Sequence, residues 1–316
     1  MVYSSYLTKY IKNLILTNNN DERLVRQFVV DEECEYNDEL NTHIDSSDDH
    51  AINCMDGLYH RYPSKVLIFP TQKCLGCCRF CFRKNIRTEE HLPDDAFDEI
   101  CKHISNNPSI TEVIFSGGDP FAIGEGKLIC MVNRIKEIKH VDIIRIHTRA
   151  LTFEPKLITQ SFVDAIKVGK PIFMVFHVNS HLEITDEATE KLSLLAENGI
   201  LCFSQTALLR GVNDNHDDLS LLFKTLIQNR VKPYYLFHPD RVMGTGHFYI
   251  SLEKGKELYR NLFNRISGLA MPIYLFNVPG GHGHCLVDLD SMQREGNEYK
   301  IQTWDKKEIV YNDVIV

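Results

Sequence analysis

From Lys65 onward, short apolar runs rich in β-branched and aromatic residues alternate with amphipathic stretches of helical length. The runs at 66–69, 112–115, 142–147, 171–176, 201–206, 232–237 and 272–276 predict strands. The stretches at 94–105, 127–138, 155–168, 186–198, 214–229 and 251–267 predict helices. Asp186 and Asp214 stand where N-caps belong, and Asn198-Gly199 where a C-cap belongs. Strand and helix in strict alternation build a parallel sheet through right-handed crossovers, and many such units in series curl it. The expectation is an α/β fold: a partial (β/α) barrel of about six to seven parallel strands.

The flanks read differently. Residues 1–60 are polar and irregular apart from a helical start carrying Tyr6, Leu7, Tyr10, Ile11, Leu14 and Ile15, followed by an acidic run from Asp31 to Asp49. They are expected to form an N-terminal helical extension, with the barrel at 61–290 and a tail at 291–316. The tail reads as a β-hairpin, 299–304 and 308–311 about Asp305-Lys306-Lys307.

With 316 residues, 43% hydrophobic and 25% charged, the chain has the composition of a soluble globular protein. No apolar run is long enough to span a membrane, and Met1-Val2-Tyr3-Ser4-Ser5 lacks a basic segment leading into an apolar core, so a cytoplasmic protein is expected. A net charge of −8 gives no electrostatic footprint for nucleic acid, which favours a small substrate. Four of ten cysteines fall between Cys74 and Cys81; Cys34, Cys54, Cys101, Cys130, Cys202 and Cys285 are scattered and read as small buried hydrophobes.

Active sites of such barrels lie beyond the C-terminal ends of the strands. Those ends carry Thr71-Gln72-Lys73-Cys74, Ser116-Gly117-Gly118-Asp119-Pro120, His147-Thr148-Arg149, His177-Val178-Asn179, Gln205, His238-Pro239-Asp240 and Asn277-Val278-Pro279-Gly280-Gly281. Loops are polar anyway, but ordinary loops favour Lys, Glu and Ser over this repeated His, Arg and Gln. The cysteine loop offers two sets of three thiolates, Cys74, Cys78, Cys81 or Cys74, Cys77, Cys81. Soft thiolates suit zinc, copper or an iron–sulfur cluster. No second Cys or His pair follows to close a zinc site, whereas three thiolates on a 4Fe–4S cluster leave one iron open.

The spacing Cys74, Cys78, Cys81 with Phe80 before the last, followed by Ser116-Gly117-Gly118-Asp119, resembles the radical S-adenosylmethionine enzymes. His60-Arg61-Tyr62-Pro63, Phe82-Arg83-Lys84, Arg145-Ile146-His147-Thr148-Arg149, Leu209-Arg210-Gly211-Val212-Asn213-Asp214, Pro233-Tyr234-Tyr235 and Val278-Pro279-Gly280-Gly281 narrow the resemblance to the lysine 2,3-aminomutase family. It runs from about residue 20 to the C-terminus. The resemblance implies a 4Fe–4S cluster on Cys74, Cys78 and Cys81. It also implies S-adenosylmethionine held near Phe80, Ser116, Gly117, Gly118, Asp119, Arg149, His177 and Gln205. Arg61, Tyr62 and Lys65 match positions around a pyridoxal phosphate group, Lys65 standing where the family has arginine. Arg83 matches a grip on the substrate carboxylate, and Asp240 one of two aspartates that hold the distal ammonium of lysine.

Two departures follow. His284 occupies the place of the family's pyridoxal lysine, and imidazole has no primary amine with which to hold pyridoxal covalently. Asn277 replaces the second aspartate. The expected function is therefore radical hydrogen abstraction from a small amino-acid-like substrate without pyridoxal phosphate, ending in desaturation, epimerisation or rearrangement. Arg83, Asp240, Asn277, His282 and His284 are the expected catalytic residues, either histidine acting as proton donor or acceptor. The alternatives are a pyridoxal-dependent aminomutase and a non-enzymatic metal-binding scaffold. A flavodoxin or ferredoxin as electron donor and a homo-oligomeric state complete the expectation.

Overall fold

The computed structural model describes residues 6–38, 44–46, 48, 53–287 and 292–313. Its larger sheet has ten strands in chain order. They are β1 (Asn53–Met55), β2 (Leu58–Tyr62), β3 (Lys65–Ile68), β4 (Glu112–Phe115), β5 (Ile143–Thr148), β6 (Ile172–His177), β7 (Leu201–Ala207), β8 (Val231–Phe237), β9 (Ile273–Val278) and β10 (Gly283–Leu286). Strands β3 to β9 run parallel, each beside the next in sequence, which places seven at the upper end of the expected number. Antiparallel strands flank them, β1 and β2 at one edge and β10 at the other. Among the described residues β1 and β10 do not pair with each other, so the sheet is open.

The two-residue period of a strand sorts the side chains onto two faces. Val113, Phe115, Ile144, Ile146, Met174, Phe176, Cys202 and Leu236 are buried in the core shared with the helices. The alternate positions, among them Arg145, His147, His177, Gln205, Tyr235 and Asn277, are half-buried and polar or aromatic. Cross-strand register aligns His177, Gln205 and Tyr235 in one row and pairs Asn277 with His284. A row of that chemistry on the face opposite the core is where a ligand can be held.

The helices differ from expectation in detail. Thr185 and Asn215 cap the helices Asp186–Glu197 and His216–Gln228, accepting from Ala188 N (3.1 Å) and Asp218 N (2.9 Å). Asp214 instead accepts from Gly211 N at 2.9 Å, inside the preceding turn. The single helix expected at 155–168 is a 3-10 turn, Pro155–Leu157, and a helix, Gln160–Ile166, because Thr159 caps the second piece.

The flanks need larger corrections. The tail is a three-stranded antiparallel sheet, β11 (Met292–Glu295), β12 (Glu298–Gln302) and β13 (Glu308–Asn312), not a lone hairpin. Met292-Gln293-Arg294-Glu295 has one apolar residue and so no alternation to reveal it. Residues 288–291, where the boundary between barrel and tail was placed, lie outside the described residues. The N-terminal extension packs onto the barrel where it is described. Its helices Lys9–Thr17, Glu22–Phe28 and Glu32–Tyr36 are followed by β1 and β2, which belong to the large sheet. Ile11, Leu14, Leu24 and Phe28 pack with Phe153 in a second core, near Cys78. Of the six scattered cysteines only Cys202 and Cys285 are buried; Cys34 and Cys101 are partly so, and Cys54 and Cys130 are exposed. Among the described residues no helix is long and apolar enough to cross a membrane.

Candidate active site

The loop after β3 is fastened to the loop after β4 by backbone hydrogen bonds, Gly118 N to Thr71 O (2.9 Å) and Asp119 N to Lys73 O (2.8 Å). The approach requires glycine: a Cβ on Gly118 would stand 2.1 Å from Lys73 O. Gly117 has φ +100°, a conformation that favours glycine. The Asp119 carboxylate accepts from Thr148 Oγ1 (2.8 Å), Arg149 N (2.8 Å) and Phe121 N (3.0 Å). Burial pushes Asp119 up to about 6, and these donors oppose that. Its side chain thus ties β4's loop to β5's loop. Ser116, Gly117 and Gly118 stand beside it, directly against the segment leading to Cys74.

All four loop cysteines are reduced thiols. Cys81 acts electrostatically on both Cys74 and Cys78, and Cys78 acts on Cys74. Burial drives the Cys74 thiol well up and Cys78 up to about 11, opposed by Arg87 and Arg149 respectively. The Arg149 guanidinium donates to Cys78 Sγ at 2.7 Å, and Arg87 to Cys77 Sγ at 2.9 Å. Among the described residues no group of three His, Cys, Asp or Glu side chains is gathered tightly enough to hold a single ion. The fit to a metal group rests instead on the donor set: soft thiols on one loop, facing guanidinium groups that favour thiolate.

The N-terminal segment holds this loop, a role that its sequence did not reveal. Cys77 N donates to Tyr6 O (2.9 Å) and Arg79 N to Gln27 O (2.8 Å). Glu35 is buried with Arg79 (2.5 Å) and Lys84 (2.9 Å), both from the cysteine loop. Desolvation raises Glu35, but the two cations outweigh it and hold its carboxyl below the usual range. Asp38 accepts from the backbone of Gly244, Thr245 and Gly246 at 2.8, 3.0 and 2.9 Å. One acidic run contains both residues, and its surface-like composition conceals this role.

The polar face continues from there. Phe80 lies 5.4 Å from the His177 ring, whose Nε2 meets Asn179 Oδ1 at 3.1 Å. Gln205 Nε2 reaches His147 Nδ1 at 3.5 Å. Burial pushes His177 down to about 3 and His147 well below its ordinary value. At the far side Tyr62 Oη accepts from His284 N (3.1 Å), and Lys65 Nζ stands 4.6 Å over the Tyr62 ring. The His284 ring packs 5.4 Å from Phe237 and is pushed down to about 4, first by burial and then by Arg61, Lys65 and Arg145. Arg145 is paired with Glu112 at 2.5 Å.

Asp240 accepts from both Asn277 Nδ2 (3.1 and 3.2 Å) and Ser46 Oγ (3.2 Å), and burial raises it to about 6. Both line a cavity of about 410 Å³ that Tyr311 of the C-terminal sheet helps to close. Arg83 acts electrostatically on Asp240 while its guanidinium lies over Phe82 (4.3 Å) and Phe69 (4.9 Å). His282 does not join His284. It lines a separate cavity of about 230 Å³ with Arg61, Gly281 and Trp304.

Against known proteins, residues 68–222 match the model of the Radical SAM superfamily. A putative L-lysine 2,3-aminomutase of Aquifex aeolicus is 36% identical over 259 residues, 81% of this chain and 70% of that one. The chain belongs to the lysine 2,3-aminomutase family of radical SAM enzymes. Other members are similar to it at comparable levels. The L-lysine 2,3-aminomutase of Fusobacterium nucleatum is 35% identical, over 72% of this chain and 54% of that one. The glutamate 2,3-aminomutase of Clostridioides difficile is 34% identical, over 80% and 61%. The match thus spans only about half the length of some family members. Among solved structures, Streptococcus suis SuiB bound to precursor peptide SuiA superposes with a TM-score of 0.53 at 18% identity, over 65% of this chain and 46% of that one. The anSMEcpe structure with bound AdoMet and Kp18Cys peptide gives 0.52 at 13%, over 65% and 60%. These two likenesses concern the fold alone. The superfamily match takes in the cysteine loop, the Gly117-Gly118 loop, His177 and Gln205, and stops before Asp240, Asn277 and His284.

Proposed function

We propose that the protein abstracts a hydrogen atom from an amino-acid-like substrate without pyridoxal phosphate, leading to desaturation, epimerisation or rearrangement. When bound, a 4Fe–4S cluster on Cys74, Cys78 and Cys81 together with S-adenosylmethionine supplies the 5′-deoxyadenosyl radical. Ser116, Gly117 and Gly118 bring backbone polar groups beside the cysteine loop, where glycine allows close approach to a ligand. Asp119 and Arg149, whose side chains are engaged within the protein, position that loop. Phe80, His177 and Gln205 line the adjoining stretch of the polar face.

The observation that carries this reading is His284. It stands on β10 as the partner of Asn277, packed on Phe237, and has no primary amine. Burial and the neighbouring cations keep its imidazole neutral at physiological pH. The cations Arg61, Lys65 and Arg145 around it suit a substrate carboxylate, whose charge would return His284 toward its ordinary basicity.

The same three cations favour a second reading, since they equally suit the phosphate of pyridoxal phosphate and would keep an aminomutase activity. One anaerobic experiment separates the two. The protein is reconstituted with iron and sulfide, incubated with pyridoxal phosphate, reduced with borohydride and weighed intact. In parallel, side-chain-deuterated amino acids are screened for deuterium in 5′-deoxyadenosine. Deuterium transfer with neither a pyridoxyl adduct nor tight pyridoxal binding is expected. A stoichiometric adduct, or tight binding without one, returns the protein to the aminomutases, and stoichiometric zinc with no iron would overturn both readings.

A further inference from the structure

We propose that Arg149 sets the reduction potential of the cysteine-bound cluster through its hydrogen bond to Cys78 Sγ, and that Glu183 behind it opposes the effect. The inference rests on the reading that Cys74, Cys78 and Cys81 hold a 4Fe–4S cluster. It concerns how readily that cluster takes its electron, not what the radical then does.

The geometry singles out this arginine. Its Nη1 lies 2.7 Å from Cys78 Sγ, and the residue is only 6% exposed. Three aromatic rings surround the guanidinium, Phe28 at 4.8 Å, Phe80 at 5.0 Å and Phe153 at 5.6 Å, so water cannot screen it. Nη2 is held by Gln27 Oε1 (2.7 Å) and Glu183 Oε2 (2.9 Å), which fixes the fork so that Nη1 faces the sulfur. The Arg149 backbone is fixed too, by Asp119. Glu183 is fully buried and anchored by Asn179 N (3.0 Å), Ser180 N (2.9 Å) and Thr152 Oγ1 (2.9 Å). One positive charge touches the sulfur and one negative charge stands behind it, both in a dry site. Such a pair costs much desolvation, which apolar side chains would avoid.

Hydrogen bonds to the sulfurs and local charge are what tune iron–sulfur potentials. On reduction one electron passes from a low-potential one-electron carrier to the cluster, taking it from the 2+ to the 1+ state, and no proton moves because guanidinium stays protonated. The added negative charge is stabilised by a cationic donor on Cys78 Sγ and destabilised by a carboxylate. Arg149 therefore raises the midpoint potential, and Glu183 lowers it.

The test is a redox titration of the reconstituted full-length protein with dithionite, followed by electron paramagnetic resonance in the absence of substrate, with iron and sulfide counted for each variant. At the wild-type midpoint, Arg149→Gln is expected to lower the reduced-to-oxidised ratio about tenfold, equivalent to about 59 mV for a one-electron couple. Arg149→Lys, which keeps the charge and loses the fork, should fall between. Glu183→Gln should raise the ratio. A role in folding alone would change cluster content or move both potentials together. Wild-type midpoints in cluster-replete Arg149→Gln and Glu183→Gln, or shifts of the same sign, overturn the proposal. Should Arg149→Gln fail to fold, Glu183→Gln and Arg149→Lys decide by the same criterion. A wild-type protein that takes up no iron and sulfide refutes the cluster reading itself, a distinct result.

Discussion

The Asn277 side-chain amide donates to both oxygens of Asp240, at 3.1 and 3.2 Å, so the carboxylate finds its partner inside the protein. An ammonium group arriving there would meet a carboxylate already engaged by Asn277, with Asp45 and Asp48 elsewhere on the wall of the same cavity. Asn277→Asp puts a second buried acid against the first, and two such groups resist joint ionisation. The variant should lose about 1 to 3 kcal/mol of stability at neutral pH, recovering as the pH falls and one acid is protonated. Lysine binding should tighten at least tenfold, about 1.4 kcal/mol. Denaturant unfolding across pH and calorimetric titration with lysine read the two effects, and unchanged lysine binding would remove Asp240 from the substrate site.

His284→Lys supplies the missing primary amine beside Tyr62, Phe237 and the cations Arg61, Lys65 and Arg145. After borohydride reduction the variant should carry one pyridoxyl group per chain and the parent none. Mass mapping of the labelled peptide checks it. A label on any other lysine in the parent would show that the anchor had moved rather than vanished.

His238 is buried between Tyr274 Oη (2.7 Å) and Tyr249 Oη (3.3 Å), and burial pushes it down to about 3. It is neutral in the folded protein but takes a proton in the unfolded chain below about pH 6.5, so the unfolded state binds more protons there. The stability this neutral imidazole contributes is complete above pH 6.5 and is lost as the pH falls toward 3, at up to about 1.4 kcal/mol per pH unit. His284, pushed down to about 4, adds the same sign over a shorter window. Urea midpoints measured between pH 7 and 4 should fall more steeply for the parent than for His238→Gln. Parallel curves would mean that His238 does not contribute.

Glu35 anchors Arg79 and Lys84 beneath the cysteine loop in a fully buried site. Removing one charge strands two others, which costs about 3 to 5 kcal/mol. Glu35→Gln should lower the unfolding free energy by that amount and speed loss of iron from the reconstituted protein. Chelator challenge followed by absorbance measures the second effect.

Gly118→Ala forces a methyl group to within 2.1 Å of Lys73 O, and backbone, unlike a flexible side chain, does not yield cheaply. A loss of about 2 to 3 kcal/mol is expected, with sub-stoichiometric iron uptake because the segment leading to Cys74 is pushed away. Gly124→Ala is the control: unlike Gly118 it has positive φ, at +88°, but open space around its Cβ, so it should cost stability and leave iron uptake intact.

The local code was legible where short-range physics decides. The short apolar runs from Val66 to Phe276 and the amphipathic stretches between them predicted about six to seven parallel strands joined by helices, and seven parallel strands stand in the sheet, because burial is written directly into residue spacing. The cysteine spacing and the paired glycines were equally plain in the chain itself. What the sequence could not disclose was which distant groups meet. Glu35 and Asp38 look like surface acids in an acidic run, yet one neutralises Arg79 and Lys84 and the other caps three backbone amides of the loop after β8. Gln27, Arg149, Glu183 and Cys78 are far apart in sequence, and only packing brings them to hydrogen-bond distance. Hydrophobic periodicity records how much of a residue is buried but not against what. Pairing of buried charges depends on distance and desolvation, which exist only once the chain has closed on itself.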